Sequence, residues 1–383
     1  MPLYHNDDQA MLRDTAAPFI ADTAPPAHLR ALRDAGDITG FSRDVWSQFA
    51  EMGFCGMMVD EAHGGLGLGH VEAGIVLEEI GRNLTPSPFL TTSVAAASAL
   101  GAAGGAMADT WLPRIASGNA VVALAIDEGP RHRPEATAMK AERAGNGFKL
   151  SGAKSFVIHG HVADMLLVAA RTGGSAGESD GLTLFAVPQG AAGLSADPRR
   201  LVDSSLASHL TLDGVTVDGD AVVGGVDQGW GVLKTLLAAA RTGAAAEMLG
   251  VGQGAMDMTM TYLKQRKQFG RLIGEFQSLQ HRAAHLYSEL EIARATVMKA
   301  QQLLDAEKLS GANEGAELMV SVAKAKVGLA TNLAVREGVQ MHGGIGMTDE
   351  YDIGLYMKRD RALGEFMGDV HYHTDRVARL NGY

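Results

Sequence analysis

The chain has 383 residues, 33 Lys and Arg against 44 Asp and Glu, and a formal charge of −11, which argues against nucleic acid or an anionic membrane as a main partner. Hydrophobic content of 46% with 20% charged residues is that of a folded protein, and the length exceeds one ordinary core, so two or three domains are expected. The single cysteine, Cys55, excludes an intramolecular disulfide and a Cys-based zinc site.

The first residues, MPLYHNDDQAML, lack the apolar core of a signal peptide, and no run approaches 18 uncharged apolar residues. A soluble, cytoplasmic protein without a membrane partner is the expectation. To about residue 120 the pattern is helical. VEAGIVLEEIGRNL (71–84) sets Val71, Ile75, Val76, Leu77 and Ile80 on one broad face, between the glycine cluster EAHGGLGLGH (61–70) and the breaker TPSPF (85–89). The Ala-rich stretch that follows predicts a helix stopping at Pro113 and Gly118.

From 121 to about 225 the periodicity shortens. VVALAI, GFKLSGAKSFVI, MLLVAA, LTLFAV and HLTLDGVTV alternate with Gly, Asp, Asn and Pro, which reads as an all-antiparallel sheet or barrel. From about 226 to the end the chain is helical again, in four long segments separated by short polar breaks: 230–267, 275–308, 312–341 and one from about 350. That suggests a bundle. The expected organisation is therefore three domains, 1–120 α-helical, 121–225 β and 226–383 α-helical.

Several stretches carry chemistry. HGGLGLG (63–69) and HGGIG (342–346) neither follow a strand nor lead into a βαβ unit, so they are not dinucleotide fingerprints. Tight turns explain the first; the backbone N–H groups of the second, between two helices, could face a ligand. KQRKQFGR (264–271) gathers four cations around a Phe-Gly at the end of a long helix. They suit the helix dipole, and equally a diphosphate. His281 and His285 share a helix face without an acid to complete an HExxH, and His371 and His373 lie in a helical stretch, so no metal site is expected. Glu247 stands among Ala and Gly in ARTGAAAEMLGVGQGAM, where the small residues leave room for something bulky. A buried carboxylate there would suit a general base, or pair with a neighbouring helix.

YLKQRKQFGRLIGEFQSLQHRAAHL (262–286) resembles the signature of acyl-CoA dehydrogenases, in which R-x-x-F-G is followed by I-x-x-F-Q; QMHGGIGMTDEY (340–351) resembles the second signature, and EAHGGLGLG and EEIGR match the N-terminal domain. The resemblance spans essentially the whole chain. It implies an α+β multidomain fold: an N-terminal helical domain, a middle antiparallel β-barrel and a C-terminal four-helix bundle, assembled as a tetramer with FAD between subunits. Carried over by position, Arg266, Phe269, Gln277, Gln340, Gly343 and Gly344 would hold FAD, and the flavin-contacting Trp and Thr of the middle domain become Phe156 and Ile158. The implied reaction is α,β-desaturation of an acyl-CoA thioester, with electron-transfer flavoprotein as a fitting acceptor.

The pattern is broken where the family keeps its base. The Glu before Gly-Thr becomes Met367, followed by Gly368 and Asp369; the alternative Glu, just before the Arg matched by Arg241, becomes Ala240; and the middle-domain motif becomes AIDEGPRHRPEAT (125–137). Glu247, seven residues and about 10 Å beyond Ala240, and Asp369, two past Met367, are the candidate replacements. The third possibility is a subunit without a base, and the C-terminal stretch most resembles small subunits of pimeloyl-CoA and steroid side-chain dehydrogenases. The readings are thus a homotetrameric or α2β2 dehydrogenase acting on dicarboxylyl-, branched or steroid-derived acyl-CoA, a non-catalytic partner completing another chain's FAD sites, or a flavin oxidase or monooxygenase of the same fold.

Overall fold

The computed structural model describes residues 2–383, in two compact units that the chain enters more than once. One comprises residues up to 31, 70–86 and 241–383; the other comprises 32–69 and 87–240. In chain order the helices are α1 (Asp7–Thr23), α2 (Pro26–Asp34), α3 (Arg43–Glu51), α4 (His70–Arg82), α5 (Ala97–Ala103), α6 (Gly105–Ala116), α7 (Gly229–Gln265), α8 (Gln277–Ser310), α9 (Ala316–His342), α10 (Ile353–Glu365) and α11 (Val370–Leu380).

In the unit of 32–69 and 87–240, a buried π-helical turn, Leu90–Ala96, leads into α5. The Ala-rich helix expected to stop at Pro113 instead breaks earlier, at Gly104 and Gly105, both at positive φ; Pro113 lies inside α6, which runs to Ala116. The strands are β1 (Val122–Ala125), β2 (Lys140–Ala144), β3 (Gly147–Ile158), β4 (Met165–Arg171), β5 (Leu182–Pro188), β6 (Leu194–Arg200), β7 (Leu206–Val217) and β8 (Val222–Val223). They form one sheet in the order β6-β7-β3-β2-β4-β5-β8, with β1 beside β4.

This corrects the expected antiparallel barrel on two counts. The path of strands is open, and β1 runs parallel to β4, pairing Val122 with Met165 and Ala125 with Val168, while β2 meets β4 in parallel at Lys140 and Arg171. β1 and β4 are buried at every residue, so neither shows the alternation that marks a strand with one wet face. Register shifts in β3 between Leu150 and Gly152 and between Lys154 and Val157 mark bulges, and Phe156 within the second has φ +56°.

In the other unit α1 packs on α4, α4 on α8, and α9 on α8, α10 and α11. By length and composition the stretch beginning with α9 could cross a membrane, contrary to expectation, but 56% of its most apolar part is buried inside the fold. The last expected helix is two, because Met367 (φ +57°) and Gly368 (φ +108°) reverse the chain between α10 and α11.

The Gly and Ala of α7 serve a helix crossing. A Cβ on Gly250 would lie 1.8 Å from the carbonyl oxygen of Glu78, and one on Gly81 2.0 Å from that of Glu247, so α4 and α7 meet backbone to backbone. The bulky occupant expected beside Glu247 is α4 itself. Gly250→Ala must push the helices apart and should cost about 1–3 kcal/mol, read as a lower urea midpoint. Gly354→Ala on α10, where nothing lies within 4 Å of the new Cβ, should be neutral or stabilise by up to about 1 kcal/mol.

Candidate functional site

The break between α10 and α11 is anchored from α7, α9 and α11. Its residues are Phe366, Met367, Gly368 and Asp369. The Met367 carbonyl accepts from Arg241 Nε at 3.2 Å and His373 Nε2 at 3.1 Å, and Arg241 also donates to the Tyr372 hydroxyl at 2.8 Å. Lys324, from α9, donates to the carbonyls of Leu363, Gly364 and Gly368 at 3.0, 3.3 and 3.2 Å. Gly368 is required here, since a Cβ would meet the Tyr372 ring at 2.4 Å. The Met367 side chain is buried, while its backbone N–H finds no acceptor among the described residues.

Neither candidate acid is free. Glu247 is buried and held by the guanidinium of Arg359, whose Nε donates to Oε1 at 2.9 Å and whose Nη2 binds the same oxygen. Asp369 caps α11: its Oδ1 accepts from the Tyr372 N–H at 2.7 Å. A carboxylate already accepting a charge-assisted or capping hydrogen bond is stabilised as the anion and tied in place. Ala240 is fully buried and offers no proton acceptor.

The residues expected to hold FAD are open. Arg266 follows α7 and leads into a two-residue hairpin, Lys267–Gln268 against Arg271–Leu272. Its turn residues Phe269 and Gly270 have φ +55° and +79°, a type I′ geometry that the Phe-Gly pair supplies. Phe269 is 89% exposed, and Lys264, Arg266, Lys267 and Arg271 are exposed with no ion pair among the described residues. Arg271 stacks its guanidinium 4.0 Å from the centre of the Phe276 ring. Gln277 and Gln340 are exposed, and nothing lies within 4 Å of where a Cβ on Gly343 or Gly344 would be.

Tyr262 joins these two segments. Its ring lies 4.5 Å from that of His342 and 6.1 Å from Tyr351, one turn before Arg266 and one residue before Gly343. His342 Nδ1–H donates to the Gly338 carbonyl at 2.7 Å, and burial holds its pKa below the usual histidine value, so the clamp is neutral. Unpaired cations beside an open glycine backbone suit a diphosphate, so FAD fits this donor set.

In the sheet unit Phe156 is 58% exposed on its bulge and Ile158 half-buried. The acids of AIDEGPRHRPEAT are structural. Buried Lys154 donates to the Ile126 carbonyl at 2.8 Å and Glu128 Oε1 at 2.9 Å, and the Glu128 carboxylate accepts from the N–H groups of Ala138 and Met139. Arg131 and Arg133 stay exposed. A cleft of about 560 Å³ in this unit, lined by Lys140, Arg143, Phe148, Arg171 and Asp227, contains none of the expected site residues. Among the described residues no group of three or more His, Cys, Asp or Glu is placed to hold a metal.

Lys324 and Asp360 escaped the sequence reading. Lys324 falls on the apolar face of α9, three residues before Val327 and four after Val320, and that misplacement was the available signal. Asp360 is 4% exposed, its Oδ2 accepting from Asn332 Nδ2 at 3.1 Å and its Oδ1 without a partner among the described residues.

Comparison with known proteins places this geometry in a family. The acyl-CoA dehydrogenase N-terminal, middle and C-terminal domains match residues 6–119, 125–215 and 227–380. The chain is 30% identical to acyl-CoA dehydrogenase IpdE2 of Mycobacterium tuberculosis over 94% of its length and 93% of the relative's. It is 31% identical to the solved Tcur3481–Tcur3483 steroid ACAD, with a TM-score of 0.87 and 98% of each chain covered. It is 25% identical to a chain of the ChsE4–ChsE5 complex from Mycobacterium tuberculosis, with a TM-score of 0.87 over the full length of both.

Burial pushes the Asp360 carboxyl up to about 6 from 3.8. The folded chain therefore holds this proton more tightly than the unfolded one. The resulting stability is complete below pH 3.8 and is lost as pH rises through about 6. The stability of wild type relative to Asp360→Asn should thus fall by about 3 kcal/mol between pH 3.5 and pH 7, measured by urea titration across that range.

Proposed function

Because the chain belongs to the acyl-CoA dehydrogenase family, oxidoreductases acting on CH–CH groups with FAD, we propose that it is the base-free subunit of a heteromeric acyl-CoA dehydrogenase. Its substrate is a steroid-derived acyl-CoA thioester, as the Tcur3481–Tcur3483 steroid ACAD suggests, and its partner is a homologous, base-bearing chain, as the two-component ChsE4–ChsE5 complex suggests. The supporting observation is the turn at 366–369. The position at which the family carries its base holds a methionine, and the two candidate replacement acids, Glu247 and Asp369, are committed to Arg359 and to the α11 cap.

On this reading Arg266, Lys267 and Arg271 neutralise the FAD diphosphate, Gln277 and Gln340 donate amide hydrogens, and Gly343 and Gly344 let backbone approach closely. FAD, when bound, supplies the acceptor for the hydride leaving the β-carbon. The Met367 N–H, left without a protein acceptor, is the donor this chain retains for a thioester oxygen; such a donor counts most as charge develops there. Desaturation itself, with the α-proton leaving to a carboxylate, takes place in the second chain's own site, and electrons pass on to an acceptor such as electron-transfer flavoprotein. Phe156 and Ile158 offer apolar surface where relatives place hydrogen-bonding side chains.

The test is flavin bleaching. Purified alone, the chain should leave bound flavin oxidised on addition of any member of a CoA-ester panel; together with a base-bearing homologue it should bleach with steroid-derived esters. Bleaching by the lone chain, lost in Asp369→Asn or Glu247→Gln, would overturn the proposal in favour of a relocated base. Glu247→Gln should instead leave bleaching by the complex intact and destabilise the fold by about 2–4 kcal/mol, because Arg359 keeps its charge in a site where its anion is gone. Thermal unfolding of the variant complex reads that loss.

A further inference from the structure

We propose that Lys324 is a positioning residue: by gripping both arms of the 366–369 turn it holds the Met367 N–H in place to bind an acyl thioester oxygen, so that this chain keeps a thioester-binding site without a base. The inference rests on the reading of Met367 as an oxyanion donor and adds the device that sets it.

The geometry is specific. An ammonium has three donors, and Lys324 uses all three on backbone carbonyls. Leu363 and Gly364 lie in the last turn of α10, whose carbonyls have no intrahelical partner. Gly368 lies beyond the reversal. One cation therefore ties the end of a helix to the far arm of the turn that follows. Between these ties Met367 adopts a left-handed backbone, which strains a non-glycine residue and persists only where the surroundings fix it. Arg241 and His373 fix its carbonyl, and the Gly368 N–H is spent on Glu365 at 3.2 Å. A helix end could be closed by water or by a glycine cap; a fully buried lysine is a costly substitute unless its charge does something there.

The charges around Lys324 come from every element packed on it. Asp360 and Glu365 of α10 and Asp369 before α11 favour the ammonium, whereas Arg241 of α7 opposes it; His373 of α11 donates into the same turn. Burial outweighs the acids and brings Lys324 down to about 8 from 10.5. Above that pH a neutral amine has two donors for three carbonyls, and the turn loosens.

The experiment uses the full-length chain in its complex and a 2-enoyl-CoA labelled with ¹³C at the thioester carbonyl. Its infrared stretch reports polarisation of that carbonyl, and the partner's contribution cancels between variants. At neutral pH wild type should show a down-shifted component assigned to this chain by its loss in Met367→Pro, which removes the N–H. The component should disappear in Lys324→Met with the enoyl-CoA still bound, and in wild type it should fade as pH rises through about 8. In Asp360→Asn, which removes an acid favouring the ammonium, the fading should begin at lower pH. The wild-type titration decides the matter even if Lys324→Met does not fold. A component that survives both Lys324→Met and alkaline pH overturns the role of Lys324 and leaves the Met367 reading standing. Absence of any component sensitive to Met367→Pro overturns that reading, and the inference with it.

Discussion

Backbone contact between α4 and α7 is the constraint on which the rest of their unit depends. Gly81 and Gly250 each face the other helix's carbonyl oxygens, so the axes approach as closely as helices can. A contact of that kind has no slack. It fixes the rotation of α7 about its axis and therefore the direction of every side chain on it, including Arg241, Glu247 and Asp257. The surrounding polar contacts follow: Arg82 on Asp257, the Tyr356 hydroxyl donating to the Arg82 carbonyl at 2.8 Å, and Arg294 tying Glu78 on α4 to Gln253 on α7. These partly exposed pairs add modest energy individually; their value is in register.

From that fixed rotation the chemistry of the C-terminal turn can be followed. Arg241 is aimed at the Met367 carbonyl, while Glu247, further along α7, is aimed at Arg359. The helix that might have supplied a replacement base has its only nearby carboxylate locked into an ion pair between helices. The turn is therefore held through its backbone, whatever side chain stands at residue 367. The buried cations, the left-handed Met367 and the obligatory Gly368 all serve the backbone.

The chain's α, β, α order was legible because periodicity changes twice, near residues 121 and 226. The cationic Phe-Gly stretch at 264–271 was legible as the end of a long helix, but the hairpin it forms was not. What escaped depends on contacts distant in sequence. β1 was read as antiparallel because an apolar run such as VVALAI records burial and not strand direction. The turn that ends the α10 segment was not read, because the groups that hold it, Arg241 and Lys324 among them, lie forty or more residues upstream. The alanines and glycines of α7 correctly announced a close neighbour but did not identify it; a helix and a cofactor demand the same absence of side chains.

Two kinds of residue meet at the expected cofactor rim. Phe269 and the four cations of 264–271 stand out from the unit, with no internal partner to account for them. The Tyr262–His342–Tyr351 cluster beneath them is buried or half-buried and neutral, so it offers packing and rigidity and no charge. An uncharged aromatic cluster beside exposed, unpaired cations is an arrangement that suits an anionic ligand. By contrast, the turn at Met367 has its charges buried and its one available donor on the backbone. Positive charge at the rim has no partner among the described residues, whereas the buried cations under the turn, Lys324 and Arg241, already donate to backbone carbonyls.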